Sequence, residues 1–267
     1  MGCPCAGSLL VRAFEYHAPP AGETRYTFAD GQPYWREVCR CGACGHFVSR
    51  HHLDEGALYG GQYVDSTYGD YEGICRAHAR VMGLPPERSD NAGRVQRLIE
   101  FAAHYWGPRR TPRILDVGSG LCVFLTRMKA AGWEGTALDP DPRAARHAEE
   151  NVGVRAICGD FMAVDLPGGF DAVSFNKVLE HVPEPQLMLL RAKECLAPGG
   201  FVYVEVPDGE AAAAEGPGRE EFFIEHLHVF SAASLAALGE RAGFRLRLLE
   251  RLREPSSKFT LRAFLSI

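Results

Sequence analysis

The run Arg113-Ile114-Leu115-Asp116-Val117-Gly118-Ser119-Gly120-Leu121-Cys122 constrains this chain more than any other stretch. An apolar strand enters an acid-x-Gly-x-Gly turn, and a helix follows. Gly118 and Gly120 lack Cβ atoms, so the backbone turns sharply and lets a ligand come close. The helix that begins near Leu121 aims its first N–H groups at that ligand. Such a strand–turn–helix builds a nucleotide-sized crevice at the carboxyl end of a parallel strand. Asp116 sets the sign of what enters, because it repels a pyrophosphate and favours a ligand carrying cationic groups. A nicotinamide dehydrogenase is excluded on that ground, and its Gly-x-Gly-x-x-Gly fingerprint is not met.

From 113 onward strands and helices alternate. The patterning predicts strands over 113–117, 135–139, 154–157, 171–175 and 200–206, and helices over 121–131, 142–151, 184–196 and 232–242. Two further strand-like runs, 244–250 and 259–267, predict a closing antiparallel hairpin at the sheet's edge. The fold class is therefore α/β, a doubly wound and mostly parallel seven-stranded sheet of Rossmann-like type. Upstream, Val95, Leu98, Ile99, Ala102 and Tyr105 recur at helical spacing, which predicts a helix over 92–106 capped by Ser89 or Asp90. A shorter helix is expected near 74–82. Ala211–Ala214 with Glu215-Gly216-Pro217-Gly218 is read as a mobile loop. The 267 residues divide into a Cys-, Gly- and Pro-rich segment over 1–50, connecting loops and a helix over 51–110, and the α/β domain over 111–267.

Further polar groups recur at strand ends. Asp139 ends the second strand, where an acid accepts both hydroxyls of a ribose. Asp160 and Phe161 follow the third, placed to meet an adenine amino group and ring. Asn176 ends the fourth. S-adenosylmethionine, with its ammonium and sulfonium, is a cationic ligand of the kind Asp116 favours. Residues 113–250 resemble a class I S-adenosylmethionine-dependent methyltransferase. The resemblance is carried by Leu115-Asp116-Val117-Gly118-Ser119-Gly120, Ala137-Leu138-Asp139, Gly159-Asp160-Phe161, Phe170-Asp171-Ala172-Val173, Val178-Leu179-Glu180-His181-Val182 and Leu196-Ala197-Pro198-Gly199-Gly200. It implies that Asp116 and Gly118 lie near the methionine part, that Asp139 holds the ribose, and that Asp160 and Phe161 hold the adenine. It also implies that His181 helps close the cofactor pocket. The family usually has a third Gly where this chain has Cys122.

Nine cysteines, five of them within the first 44 residues, point to metal rather than disulfides in a reducing compartment. Cys41-x2-Cys44-Gly45 has the spacing of a zinc knuckle, and Cys3-Pro4-Cys5 is the expected partner. Four thiolates from Cys3, Cys5, Cys41 and Cys44 would hold a structural Zn2+. Cys39, His46, His51 and His52 are the alternative ligands. A zinc-ribbon-like segment before this fold resembles methyltransferases of bacterial sugar and natural-product pathways, including C-methyltransferases of nucleotide-linked deoxysugars. That group carries a Glu-His pair after the fifth strand, matched here by Glu225-His226.

Methyl transfer from a sulfonium is an in-line displacement, and a hydroxyl or carbon acceptor must also lose a proton. Histidine titrates in the range that task needs. His226, beside Glu225, is the first candidate base; His228 is the second and His181 the third. Tyr59, Tyr63 and Tyr68 are placed to close over the cofactor, to stack on a sugar or simply to pack a loop. Arg245, Arg247, Arg251 and Arg253 are expected on a solvated strand face. The net charge of −5 argues against a nucleic-acid partner. No apolar run reaches the roughly 20 residues of a spanning helix, and no signal peptide is recognised, so a cytoplasmic enzyme acting on a small polar metabolite is expected. The alternatives are a nucleic-acid methyltransferase whose zinc ribbon binds RNA or DNA, and a non-catalytic scaffold. Ser174-Phe175-Asn176-Lys177 disfavours the first, lacking the Asn/Asp-Pro-Pro-aromatic of base amino methylation, and the intact Asp116, Gly118, Gly120 and Asp139 disfavour the second.

Overall fold

The computed structural model describes residues 2–5, 9–24, 33–51, 69–107 and 111–267. Tyr59, Tyr63, Tyr68 and His52 lie outside the described residues. In chain order the strands are β1 (Leu10–Tyr16), β2 (Arg36–Cys41), β3 (Phe47–His51), β4 (Arg113–Val117), β5 (Glu134–Asp139), β6 (Arg155–Cys158), β7 (Phe170–Asn176), β8 (Leu196–Pro207), β9 (His228–Val229), β10 (Arg245–Arg253) and β11 (Phe259–Ser266). The α-helices are α1 (Tyr71–Met82), α2 (Asp90–Trp106), α3 (Val123–Ala130), α4 (Pro142–His147), α5 (Pro185–Cys195), α6 (Gly209–Glu215) and α7 (Ala232–Arg241).

Seven strands form one sheet in the order β10-β11-β8-β7-β4-β5-β6. β4 pairs in parallel with β5 and β7, as do β5 with β6 and β7 with β8, while β11 runs antiparallel to β8 and β10. The chain winds outward from β4 through β5 to β6, then crosses back to β7 and β8. The reversal lies between β4 and β7, and the carboxyl ends of those strands open the ligand crevice of such folds. On one face of the sheet, α5 packs Met188 and Leu189 and α7 packs Leu235 and Leu238 into a core shared with Phe175 of β7. On the other, α2 contributes Val95, Leu98 and Phe101 and α3 contributes Leu125 and Met128 to a second core with Ile114 of β4 and Phe201 of β8. Helices on both faces give the doubly wound architecture, and the closing hairpin is present as β10–β11.

The local chemistry explains the helix ends. Ser89 caps α2 by accepting from the Ala92 N–H, and Gly107 ends it at φ +70. The expected loop over 211–218 is corrected: Ala211–Ala214 belong to α6. Alanine has the highest helix propensity, and Asp208 caps the helix by accepting from the Glu210 and Ala211 N–H groups. The expected helix over 142–151 is α4 followed by a π-turn over Ala148–Val152.

The N-terminal strands form a second, antiparallel sheet, ordered β1-β2-β3-β9. Its fourth strand, β9, comes from the far end of the sequence and aligns Phe47 with Val229 and Val48 with His228. A small core of Tyr16, Val38, Phe47, Ala212, Phe222 and Val229 joins this sheet to the rest. A buried ion pair, Arg36–Glu23 at 3.0 Å, backs it. Glu23 also accepts from the Ile224 N–H at 2.8 Å, and Arg36 donates to the Phe222 carbonyl. The segment 222–228 is thus held from the N-terminal side.

Candidate active site

The turn after β4 is built as the sequence requires. Gly118 sits at φ +68, and a Cβ placed there would come 2.8 Å from Val178 Cγ2. The strand exit after β7 therefore closes directly over the glycine turn. Cys122 adopts φ +56 and leads into α3. That left-handed position explains why a glycine would suit it.

Two buried acids face the crevice. Asp116 Oδ1 accepts from Ser174 Oγ and from Asn176 Nδ2, both at 2.7 Å. Burial pushes its carboxyl up to about 6, against the pull of those two donors. The Asn176 Oδ1 is buried with no hydrogen-bond partner among the described residues. An N–H donor from a ligand would satisfy it, and a buried acceptor left unpaired is costly. Asp139 Oδ2 accepts from the Gly120 N–H at 2.8 Å, and Oδ1 from the Asp141 N–H at 2.9 Å. Burial raises its pKa too, while the two N–H bonds lower it. The glycine turn thus fixes the carboxylate expected to hold a ribose, and each oxygen keeps a lone pair for a hydroxyl. This donor and acceptor set fits a ligand that is a nucleoside at one end and an ammonium at the other.

The third strand end departs from expectation. Asp160 Oδ1 accepts from the Met162 N–H at 2.9 Å. Phe161 does not face the crevice. Its ring is sealed in the core edge-on to Phe175, at 5.7 Å between centroids, because the turn that Asp160 caps sends the next side chain inward. Met162, 39% exposed, is the apolar group left outside.

The loop after β7 meets the segment before β9. The Leu227 and His228 N–H groups donate to the Glu180 carbonyl at 2.8 and 3.1 Å. The His226 Nδ1–H donates to the Glu221 carbonyl and the His181 Nδ1–H to the Glu225 carbonyl, each at 2.8 Å. Carbonyls only accept, so both rings carry their proton on Nδ1. The two rings lie 4.9 Å apart. Burial holds His226 well below its ordinary pKa and lowers His181 as well, so both are neutral. Glu225 keeps its carboxyl beside His181, with Oε2 unpartnered among the described residues; the group orienting His226 is the Glu221 carbonyl. Glu180, which sequence patterning did not single out, is fully buried with both carboxylate oxygens unpartnered among the described residues. Burial pushes it up to about 7.

His228 is engaged elsewhere. Its Nε2–H donates to the Pro183 carbonyl at 3.3 Å, so its Nδ1 accepts from His46 Nε2 at 3.0 Å. His46 Nδ1 in turn lies 3.1 Å from Ser234 Oγ. This buried relay ties the N-terminal sheet to α7. It also removes His46 from the set of metal ligands.

Cys3, Cys5, Cys41 and Cys44 converge, with Sγ separations of 3.2 Å for Cys3–Cys5, 3.2 Å for Cys3–Cys44 and 3.6 Å for Cys5–Cys41. A tetrahedron of thiolates at a Zn–S length of about 2.3 Å has edges of roughly 3.8 Å, close to what is found. Cys39 does not join the cluster. Arg245, Arg247, Arg251 and Arg253 all lie exposed on β10, and Arg251 also forks onto Asp208 at 2.8 and 2.9 Å.

A family model described as a methyltransferase domain matches residues 88–249, more than half of the chain. The chain belongs to the methyltransferase domain family. A ubiquinone biosynthesis O-methyltransferase of Chromobacterium violaceum is 29% identical over 108 residues, covering 38% of this chain and 47% of the relative. One from a Caulobacter species is 34% identical over 122 residues, covering 42% and 48%. The chain thus matches less than half the length of these relatives. Among solved structures, a 1,6-didemethyltoxoflavin-N1-methyltransferase of Burkholderia thailandensis, with that compound and S-adenosylhomocysteine bound, superposes at a TM-score of 0.59. It is 21% identical and covers 91% of this chain and 98% of its own. A magnesium protoporphyrin IX methyltransferase of Synechocystis gives 0.58 at 13% identity, covering 80% and 100%. These likenesses establish a shared fold. No described helix is long and apolar enough to cross a membrane.

Proposed function

We propose that this chain transfers the methyl group of S-adenosylmethionine to a small polar acceptor, a sugar or natural-product intermediate. The observation that carries the proposal is the pair of buried acids, Asp116 and Asp139, at the carboxyl ends of the neighbouring strands β4 and β5. Asp116 with Asn176 receives the ammonium, and Asp139 receives the ribose hydroxyls beside the Gly118 and Gly120 turn. Asp160 takes the adenine amino group, and Met162 takes the place on the ring that Phe161 cannot fill. When bound, the sulfonium supplies an activated methyl with a neutral thioether as leaving group. The protein's task is then to hold the acceptor in line and to take its proton. His226 is the base, with its Nδ1–H fixed on the Glu221 carbonyl, its Nε2 pair available and its ring kept neutral by burial. His181 and Glu225 frame the same wall.

Calorimetry with S-adenosylmethionine and S-adenosylhomocysteine tests the cofactor. One site per chain is expected, weakened at least tenfold by Asp139→Ala, since charge-assisted hydrogen bonds contribute about 1.5–3 kcal/mol each. Absence of heat with both compounds overturns the proposal. His226→Ala is expected to lower turnover roughly 10²–10⁴-fold while sparing cofactor binding. Cys3, Cys5, Cys41 and Cys44 are proposed to hold one structural Zn2+; metal analysis well below one zinc per chain defeats that part.

A further inference from the structure

Lys177 is a half-buried cation that neither cofactor binding nor proton transfer, as proposed above, makes use of. It stands at φ +60, a left-handed conformation that a residue with a Cβ adopts at a cost, and such strain gathers at functional sites. It sits between Asn176, which donates to Asp116, and Val178, which covers the Gly118 turn. Its backbone N–H donates to the Glu205 carbonyl at 2.9 Å. Its side chain crosses the end of β8 and gives an N–H from Nζ to Thr260 Oγ1 of β11 at 2.9 Å. The other donors of the ammonium are uncommitted among the described residues. The carboxylates around it are answered by other groups. Glu205 accepts from Arg94 Nε at 2.9 Å, Arg262 Nε at 3.1 Å and the Tyr203 hydroxyl at 2.8 Å. Glu254 accepts from Arg262 Nη2 at 2.7 Å. Glu180 is fully buried with both oxygens unpartnered among the described residues, so no hydrogen bond joins it to Lys177. Burial lowers the pKa of Lys177, against the pull of Glu205 and Glu180. A cation withdrawn from water that touches no anion is costly, and a bound anionic oxygen removes that cost.

The same charge bears on the wall proposed for the acceptor. Burial is the main cause of the depressed pKa of His181 and of His226, and Lys177 adds to it in both. Both rings are neutral, so neither supplies a cation to an oxygen that is losing its proton. Lys258 also bears on His226 but is paired with Glu220 at 3.3 Å. We propose that Lys177 binds the methyl-accepting oxygen and holds it as an oxyanion, so that this chain methylates a hydroxyl that ionises readily. The inference rests on the methyl-transfer reading above and names the atom that receives the group. The acceptor hydroxyl gives its proton to His226 Nε2. The free N–H groups of Lys177 hold the oxygen left behind and keep their own protons. A pair on that oxygen forms the O–CH3 bond while the S–CH3 pair returns to sulfur, leaving a neutral thioether, and the imidazolium releases its proton to water. Fixed donors aimed at a developing negative charge act most strongly where water is excluded. A histidine as weakly basic as His226 suits an acidic hydroxyl, such as that of an enol, better than an aliphatic alcohol.

The probe for the test is 4-nitrophenol, yellow when ionised and colourless when neutral. It is added to the full chain saturated with S-adenosylhomocysteine, in a buffer below its own pKa. Binding to the unaltered chain is expected to bring up the nitrophenolate band. Lys177→Met keeps a long side chain at the same strained position without the charge. It should bind S-adenosylhomocysteine as before, read by calorimetry, yet lose the band and bind the probe about tenfold more weakly. Lys177→Gln keeps a donor without the charge and should take up the probe in its neutral form, which gives the same comparison in a polar side chain. No band with the unaltered chain, or an equal band in Lys177→Met, overturns the inference; with S-adenosylhomocysteine still bound, methyl transfer stands. An unaltered chain that binds no S-adenosylhomocysteine brings down both.

Discussion

Asp116 is an acid that the fold makes hard to ionise, and that gives cofactor binding a pH signature. Its carboxyl is pushed up to about 6 by burial. Above that value the free chain presents a carboxylate to the ammonium; below it the group is protonated and neutral. The ionised fraction falls about tenfold between pH 7.5 and 5. The dissociation constant for S-adenosylmethionine is therefore expected to rise about tenfold over that interval, measured by calorimetry. A flat profile would show that Asp116 is not the ammonium's partner. Cys122 offers a second check. It stands at φ +56 and is fully buried. Cys122→Gly relieves the left-handed strain while losing a small buried side chain, so stability should move by less than about 1 kcal/mol. Cys122→Val puts a branched Cβ into the same conformation and should cost about 2 kcal/mol or more, read from urea denaturation.

The strands and helices of the α/β domain were legible because their physics is local. Apolar runs such as Phe201-Val202-Tyr203-Val204 mark strands buried on both faces, and Gly or Pro stands beside several of their ends. Asp116, Asp139 and Asn176 stand out in the sequence for the same reason, since each lies at or next to the end of a strand. What escaped depends on partners far away in sequence. Two-residue β9 exists only because β3 is beside it. Glu180 becomes notable only once the surrounding loops leave its carboxylate without a donor, and the Glu221 carbonyl orients His226 through a turn no motif announces. Helix α6 was misread although its alanines spelled it out. Asp208 both caps that helix and receives Arg251. Asp208→Ala should cost about 1–2 kcal/mol, with the loss confined to protection of α6 in hydrogen exchange. Arg36→Met strands the Glu23 carboxylate in the core and should cost about 3–5 kcal/mol. Replacing Glu23 by Leu as well should cost less than the single change, because no buried charge remains.

The N-terminal sheet and the seven-stranded sheet meet where chemistry is proposed to occur. Ser231 Oγ donates to the Cys44 carbonyl, and the same hydroxyl accepts from the Ser234 N–H in the cap of α7. The Ser49 N–H donates to the Leu227 carbonyl at 2.9 Å. Removing the Zn2+ proposed for the four cysteines should therefore be felt beyond the first fifty residues. Hydrogen exchange after chelation is expected to show lost protection in β1–β3 and across 222–231, with β4, β5, β7 and β8 unchanged. Turnover should fall while S-adenosylmethionine still binds. If exchange rises only within β1–β3, the two sheets are energetically independent. Strand β9 makes such independence structurally difficult, for one unit supplies the last rung of the other. The cysteine-bearing head is consequently no detachable cassette. Grafting it onto a related enzyme would mean carrying the stretch from Phe222 to Ser231 along with it, and with that stretch the histidine proposed to act as base.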